Sequence, residues 1–151
     1  MKKERILGFD EMSLQEFHDM VQLRIQVFVI EQDCPYQELD GWDPHSWHLL
    51  YHGDEGLLAT LRILPPDTTF SQWSIGRVVV AESARGTGLG HHIMEMAIEF
   101  IEKQGGDVPI KISAQTYLEA FYNHHGFIRS GEEYLEDDIP HIPMLRASSK
   151  K

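Results

Sequence analysis

Cysteine is almost missing from this chain. Cys34 is the only one among 151 residues, so no internal disulfide can form, which suits a reducing compartment. As an ordinary thiol beside Pro35 it is not expected to act as a nucleophile. Long apolar stretches are missing too. No run of roughly 18 or more apolar residues occurs, which argues against a transmembrane helix and a membrane partner. The start, Met-Lys-Lys-Glu-Arg, has no apolar segment behind it and does not read as a signal peptide. The expectation is a cytoplasmic protein. Positive charge is scarce: 13 Lys and Arg face 24 Asp and Glu, for a net charge of −11. Nucleic acids and anionic surfaces are bound through basic patches, so neither is expected as a partner. The balance suits a cationic partner such as an amine, and equally well mere solubility. Repeats, low-complexity tracts and linkers are absent, and the length suits one domain over 1–151.

What the chain does have is concentrated between Ile75 and Ile101. Val78, Val79 and Val80 form a β-branched run that suits a buried strand. Arg85, Gly86, Thr87, Gly88, Leu89 and Gly90 form a basic, glycine-rich turn. Leu89, Ile93, Met96, Ala97, Phe100 and Ile101 then recur at helical spacing and stop near Gly105-Gly106. A strand, a glycine turn and a helix start make an anion cradle. The free N–H groups of the first helical turn point at the ligand, and the helix dipole favours negative charge. Glycine lets the backbone come close. A phosphate-bearing ligand is expected. A Walker loop needs Lys then Ser or Thr where His91 and His92 stand. A dinucleotide fingerprint needs glycines at its first, third and sixth positions, and here they fall at 86, 88 and 90. Both are disfavoured.

Elsewhere the pattern reads as follows. Arg5 to Phe9 is a first strand. Ser13 and Glu16 form a capping box before a helix over about 14–31, with the β-branched run near its end as a place where it could break. Gln32 to Ser46 is a long, acid-rich loop, and such length marks a functional loop. Strands follow over Trp47–Tyr51 and Leu57–Leu64, the latter with Leu57, Ala59, Leu61 and Ile63 on one face. Further strands are expected over Trp73–Val80, Ile110–Ala114, from Gly126, and over His141–Arg146. A second helix spans Leu118–His125, and Glu132–Asp138 is an acidic turn. The order predicts an α/β (α+β) fold, a mixed and mostly antiparallel sheet flanked by helices, with one parallel crossover between the fourth and fifth strands.

Arg85-x-x-Gly88-x-Gly90 after a valine strand resembles the pyrophosphate loop of the GCN5-related N-acetyltransferases (GNAT). Ala114-Gln-Thr-Tyr-Leu-Glu-Ala-Phe-Tyr-Asn-His-His-Gly-Phe127 resembles the second motif of that family. The segments Leu23–Asp43 and Tyr134–Met144 look like the ElaA-type branch, and Arg24, Phe28, Glu31, Gln32 and Tyr36 match a signature shared loosely with acyl-homoserine-lactone synthases. The resemblance covers roughly Leu14 to Arg146. It implies the acyl-CoA N-acyltransferase fold, with acetyl-coenzyme A as co-substrate and an amine on a small molecule or protein as acceptor. It leaves a homodimer open.

The resemblance also implies site residues. Val78, Val79, Val80 and Arg85 through Gly90 would hold the coenzyme, and an N–H of the fourth strand would meet the oxyanion. Tyr122 stands where the family places an acid for the departing thiolate, with Tyr117 as a rival. Gln115 stands in place of a frequent asparagine, a departure. Asp138 departs from an expected glycine. Glu31 and His48 are candidate bases, with His141 and Glu82 behind them. Neighbouring residues on a helix point about 100° apart, so neither His91-His92 nor His124-His125 should converge on a metal, and none is expected. Glu31, Asp33, Glu38, Asp40 and Asp43, with no Lys or Arg among them, suggest an acidic rim for a cationic acceptor. Two other readings remain: a lactone-synthase-like acyltransferase, which would use acyl-carrier protein and need a basic docking surface, and a non-catalytic acyl-CoA-binding sensor.

Overall fold

The computed structural model describes residues 4–149. Expectations for residues 1–3 and 150–151 lie outside them. Eight strands and three helices follow in the order β1 (Glu4–Gly8), α1 (Leu14–Ile25), β2 (Trp47–Gly53), β3 (Gly56–Leu64), β4 (Ser74–Val80), α2 (Leu89–Gly105), β5 (Ile110–Gln115), α3 (Glu119–Asn123), β6 (Ile128–Arg129), β7 (Tyr134–Glu136) and β8 (Ile139–Arg146).

The capping box forms as its spacing predicts. Glu16 N–H donates to Ser13 Oγ at 3.0 Å, and Ser13 N–H donates to Glu16 Oε1 at 2.9 Å. Such a cap contributes about 1 kcal/mol. The expected helix over 14–31 is two structures. After Ile25 the chain widens into π-helical turns over Gln26–Glu31, and the N–H groups of Gln32 and Cys34 reach back five residues to Val27 and Val29. Wide turns of this kind are rare and cluster at functional sites.

Strands β1 to β4 form one antiparallel sheet in sequence order, and β5, β8 and β6 form another, with β7 also paired to β8. The β7 strand falls inside the segment expected to be a turn. All three of its residues are exposed, so no buried face writes alternation into its sequence. The two sheets meet at one parallel bridge, Trp73 with Ile110, where Lys111 N–H donates to the Trp73 carbonyl at 2.9 Å. Beyond it, β4 and β5 share no further bridge among the described residues.

On one side of the sheets, Ile93, Met94, Ala97 and Ile101 of α2 are fully buried against Leu49, Ala59, Leu61, Ile63, Ile112 and Met144. On the other side, Leu7, Leu50 and Met20 of α1 form a smaller core. Leu57 packs there rather than beside Ala59. A register shift at Tyr51/His52 pairs His52 with Leu57 and Tyr51 with Ala59. The extra residue, Leu58, turns to the α2 side instead, because a bulge reverses the facing of everything beyond it. Trp73 stacks on Trp47 at 5.7 Å and lies so close to the end of α2 that a Cβ at Gly105 would meet its Nε1 at 2.7 Å. None of the described helices is long and apolar enough to cross a membrane.

Candidate active site

Where β4 and β5 part, a cavity of about 570 Å³ opens. Its walls come from β4 (Ile75 to Val80), the π-helical turns (Phe28, Glu31, Gln32), Ser113 and Gln115 of β5, and Tyr117 to Tyr122 with Phe121 between. Arg85 and Gly90 lie at the glycine loop, and Glu136, Asp137 and His141 close the tail side.

The glycine loop is shaped as its composition demands. Gly86 and Gly88 hold φ of +78° and +84°, and a Cβ on either would meet open space. It is the backbone angle and not crowding that calls for glycine there. Gly88 caps α2, and the first N–H taken up inside the helix is that of His92, by the Gly88 carbonyl at 3.1 Å. The N–H groups of Leu89, Gly90 and His91 therefore have no partner within the helix. Thr87 Oγ1 donates to the Ala84 carbonyl at 2.6 Å, and the buried Leu89 side chain anchors the turn. Arg85 Nε donates to the Val80 carbonyl at 3.0 Å, and its Nη2 pairs with Glu31 Oε1 at 2.8 Å. Such a turn fits the pyrophosphate of a coenzyme A.

In β4 the ladder to β3 is broken. Thr60 pairs with Val79 and Arg62 with Gly76, so Arg77 and Val78 together oppose Leu61. This is a β-bulge, and Arg77 sits in it at φ +49°, a region that a bulky side chain seldom enters. Its guanidinium is held on two sides. Nε donates to Glu38 Oε2 at 2.8 Å, and Nη2 donates to the Glu38 carbonyl at 3.1 Å and Asp40 Oδ2 at 3.3 Å.

Arg77 belongs to a larger network that the sequence reading missed. Arg24, with 1% of its surface exposed, pairs through Nε with Glu38 at 2.7 Å and bidentately with Asp43 at 2.9 and 3.1 Å. Arg62 forks onto Asp40 at 2.9 and 2.6 Å and reaches Asp43 at 3.1 Å. Tyr36 donates its hydroxyl to Glu38. Burial would raise the Asp40 pKa, but Arg62 and then Arg77 bring it down to about 2, and Arg24 and Arg62 likewise lower Asp43 despite its burial. Glu38 and Asp43 are thus buried and form no solvent-facing rim, and Asp40, though exposed, is paired as well. Arginines distant in sequence consume them. The available signal was an arginine amid apolar strand residues, at Arg62 and Arg77.

Of the candidate catalytic residues, Tyr122 lines the cavity with 8% of its surface exposed. Burial, and secondarily Tyr117, raises its pKa. Tyr117 also lines the cavity but is 72% exposed. Glu31 is on the wall. His48 is not: it is fully buried, its Nε2 donates to the Asp43 carbonyl at 3.0 Å, and desolvation lowers its pKa. As a base it has no route to the cavity. The expectation failed because β2 lies inside the sheet and presents His48 to the arginine network. Gln115 exchanges hydrogen bonds with Gln32 at 3.1 and 3.3 Å. Glu82 does not border the cavity. Cys34 is buried, and desolvation followed by nearby aspartates raises its pKa, which leaves a poor nucleophile.

The histidine pairs meet across helices instead of within them. His91 Nδ1 and His125 Nε2 are 2.8 Å apart, and the His91 ring also packs on His124 at 4.6 Å. Among the described residues no group of three or more His, Cys, Asp or Glu is arranged to hold a metal ion.

Comparison with known proteins bears on this geometry. A family model described as the acetyltransferase (GNAT) domain matches residues 10–147. Protein ElaA of Escherichia coli K12 is 40% identical over 142 residues, 93% of either chain. The crystal structure of an acyl-CoA N-acyltransferase from Pseudomonas aeruginosa is 44% identical, with a TM-score of 0.91 over 97% of this chain and 100% of its own. A CoA-dependent acyl-homoserine lactone synthase, 17% identical, shares the fold with a TM-score of 0.77 over 98% of this chain and 84% of its own.

Proposed function

This chain belongs to the GNAT acetyltransferase family, and from that premise we propose that it transfers an acetyl group from acetyl-coenzyme A to a primary amine by direct attack on the thioester. Transfer from an acyl-coenzyme A comes with the family; acetyl as the group and a primary amine as the acceptor are our reading. The observation that carries it is one cavity bordered by Arg85 and Gly90 at the two ends of the glycine loop, by the bulged strand β4 and by Tyr122.

The residues divide the work. Backbone N–H groups at the start of α2, with Gly86 and Gly88 giving close approach and Thr87 holding the turn, suit the pyrophosphate, and Arg85 adds charge. Val78, Val79 and Val80 offer main chain to the pantetheine, with Gln115 facing it. An N–H beside the bulge meets the oxyanion. Tyr122 assists departure of the sulfur. An alkyl thiol titrates near ~8.5, and burial lifts Tyr122 above the ordinary 10 of a phenol. Its help is therefore a hydrogen bond that strengthens as charge builds on sulfur, and the attacking nitrogen supplies the proton that the sulfur finally keeps. Glu31 lines the cavity, paired with Arg85. His48 has no part.

The test pairs calorimetry of coenzyme A binding with a thiol-release assay across a panel of primary amines. Wild type should bind coenzyme A and acetylate at least one amine, and Gly88→Asp should lose binding, because a charged side chain would meet the pyrophosphate. Binding without any transfer would favour the sensor reading. Unchanged affinity in Gly88→Asp would remove the loop assignment. The lactone-synthase reading rests on the shared fold and on the loosely shared signature of Arg24, Phe28, Glu31, Gln32 and Tyr36, and the net charge of −11 gives a basic docking surface no support.

A further inference from the structure

We propose that His141 takes the proton from the incoming ammonium, with Glu136 holding the nitrogen against it. This rests on the amine-acyltransferase reading above.

The register places His141 directly opposite Gln115 on β5. Residues opposite each other share a sheet face, so His141 faces the cavity while Ile142 and Met144 enter the core. The ring is fixed. Only 9% of the side chain is exposed, and Nδ1 lies 2.7 Å from the Ile139 carbonyl. A carbonyl can only accept, so Nδ1 carries the hydrogen and Nε2 is the basic nitrogen. Nε2 stands 3.5 Å from Glu136 Oε2, and both side chains line the cavity. Two acceptors at that separation form a receptor for a cation that can donate to both. An ammonium does so, giving one hydrogen to the carboxylate and another to the imidazole.

The surroundings single this residue out. The other titratable groups near it are Tyr134 on β7, whose ring lies 6.1 Å away, Asp137 in the turn, and Cys34, whose thiol donates to the Asp137 carbonyl at 3.3 Å. On β5 it faces Gln115 and Ser113, which do not titrate. Tyr134 and the Ser113 hydroxyl bond each other, and Ser113 Oγ also reaches Glu136 Oε1 at 3.5 Å, which orients the carboxylate. Glu31, the rival on the cavity wall, is already engaged by Arg85 Nη2 at 2.8 Å.

The step balances. The ammonium N–H bond breaks and its proton moves to His141 Nε2. The freed lone pair attacks the thioester carbon, and the carbonyl oxygen takes the charge. When the C–S bond breaks, the second proton of the nitrogen reaches the sulfur through Tyr122. His141 then releases its proton to solvent.

His141→Asn can still donate to the Ile139 carbonyl but has no basic nitrogen. With the amine that wild type acetylates fastest, its kcat should fall about 10²–10⁴-fold, with coenzyme A affinity unchanged and the loss partly restored by added imidazole in proportion to its free base. Glu136→Gln, on an exposed strand, should raise KM for the amine more than it lowers kcat. Nitrogen-15 spectra of wild type should show a bare Nε2 at pH 8. An active wild type with an equally fast His141→Asn variant, or an Nε2 that carries hydrogen at pH 8, overturns the proposal alone. A wild type that acetylates no amine removes the parent reading and this one with it.

Discussion

Glu31 and Arg85, 54 residues apart in the chain, pair at 2.8 Å on the cavity wall. The π-helical turns bring the carboxylate there, and the glycine loop brings the guanidinium. Each is partly exposed. The arginine assigned to the pyrophosphate is thus already neutralised, and the coenzyme has to compete with Glu31 for it. An exposed pair of this kind contributes about 0.2–1 kcal/mol. Glu31→Gln should therefore tighten coenzyme A binding by up to about fivefold at low salt, with less effect at high salt. Calorimetry in the two buffers checks it. Weaker binding would mean that Glu31 holds Arg85 in the pose the coenzyme needs.

Tyr122→Phe keeps the ring among Phe121 and Phe127, which it meets edge-on at 5.0 and 6.1 Å, and removes the hydroxyl. The expected result is a kcat lower by about 10²–10⁴-fold with coenzyme A affinity unchanged. Tyr117→Phe, at an exposed position, should cost little. Near-normal turnover in the first variant combined with a large loss in the second would move this assistance to the departing sulfur to Tyr117.

Arg77 separates backbone conformation from charge. Glycine accepts its φ of +49° without strain, while a β-branched residue there costs about 1–3 kcal/mol. Both replacements remove the contacts to Glu38 and Asp40. Arg77→Val should therefore be less stable to urea than Arg77→Gly by about that amount, and it should lose more turnover if the bulge shapes the oxyanion site. Equal stability of the two would show that the bulge relaxes once the side chain is gone.

Acid should destabilise the fold in two stages. Desolvation depresses the pKa of His48 and, together with His91 and His124, that of His125, both from an ordinary 6.5. A histidine with a depressed folded pKa contributes stability that is complete above about 6.5 and is lost as pH falls through the lowered value. Asp40, depressed from 3.8 to about 2, and Asp43, also lowered, keep their contribution down to about pH 4 and lose it as pH falls toward 2. Denaturant titrations across pH should resolve both stages. His125→Asn should shrink the upper stage to the part that His48 contributes and leave the lower one in place.

Much of this architecture is local and was legible in the sequence. The capping box at Ser13, the valine strand, the glycine loop and the period of α2 are written in neighbouring residues, because helix caps, strand alternation and positive-φ turns depend on contacts a few positions apart. The residues from Ile75 to Ile101 alone suggest a phosphate cradle, and with the segment ending at Phe127 they point to the family that the comparisons show. Tertiary structure decided the rest. The splay of β4 from β5 follows from a single bridge at Trp73 and Ile110. His48 turned inward because β2 is covered on both faces, and β7 has no buried side to pattern its residues. Glu38, Asp40 and Asp43 of the 32–46 loop look unpaired along the chain, yet they meet Arg24, Arg62 and Arg77. A charge buried in a protein must find its partner wherever the fold brings one. Side chains 14 to 39 positions apart in the chain therefore neutralise one another here, a pairing that depends on distance in space and leaves no local pattern.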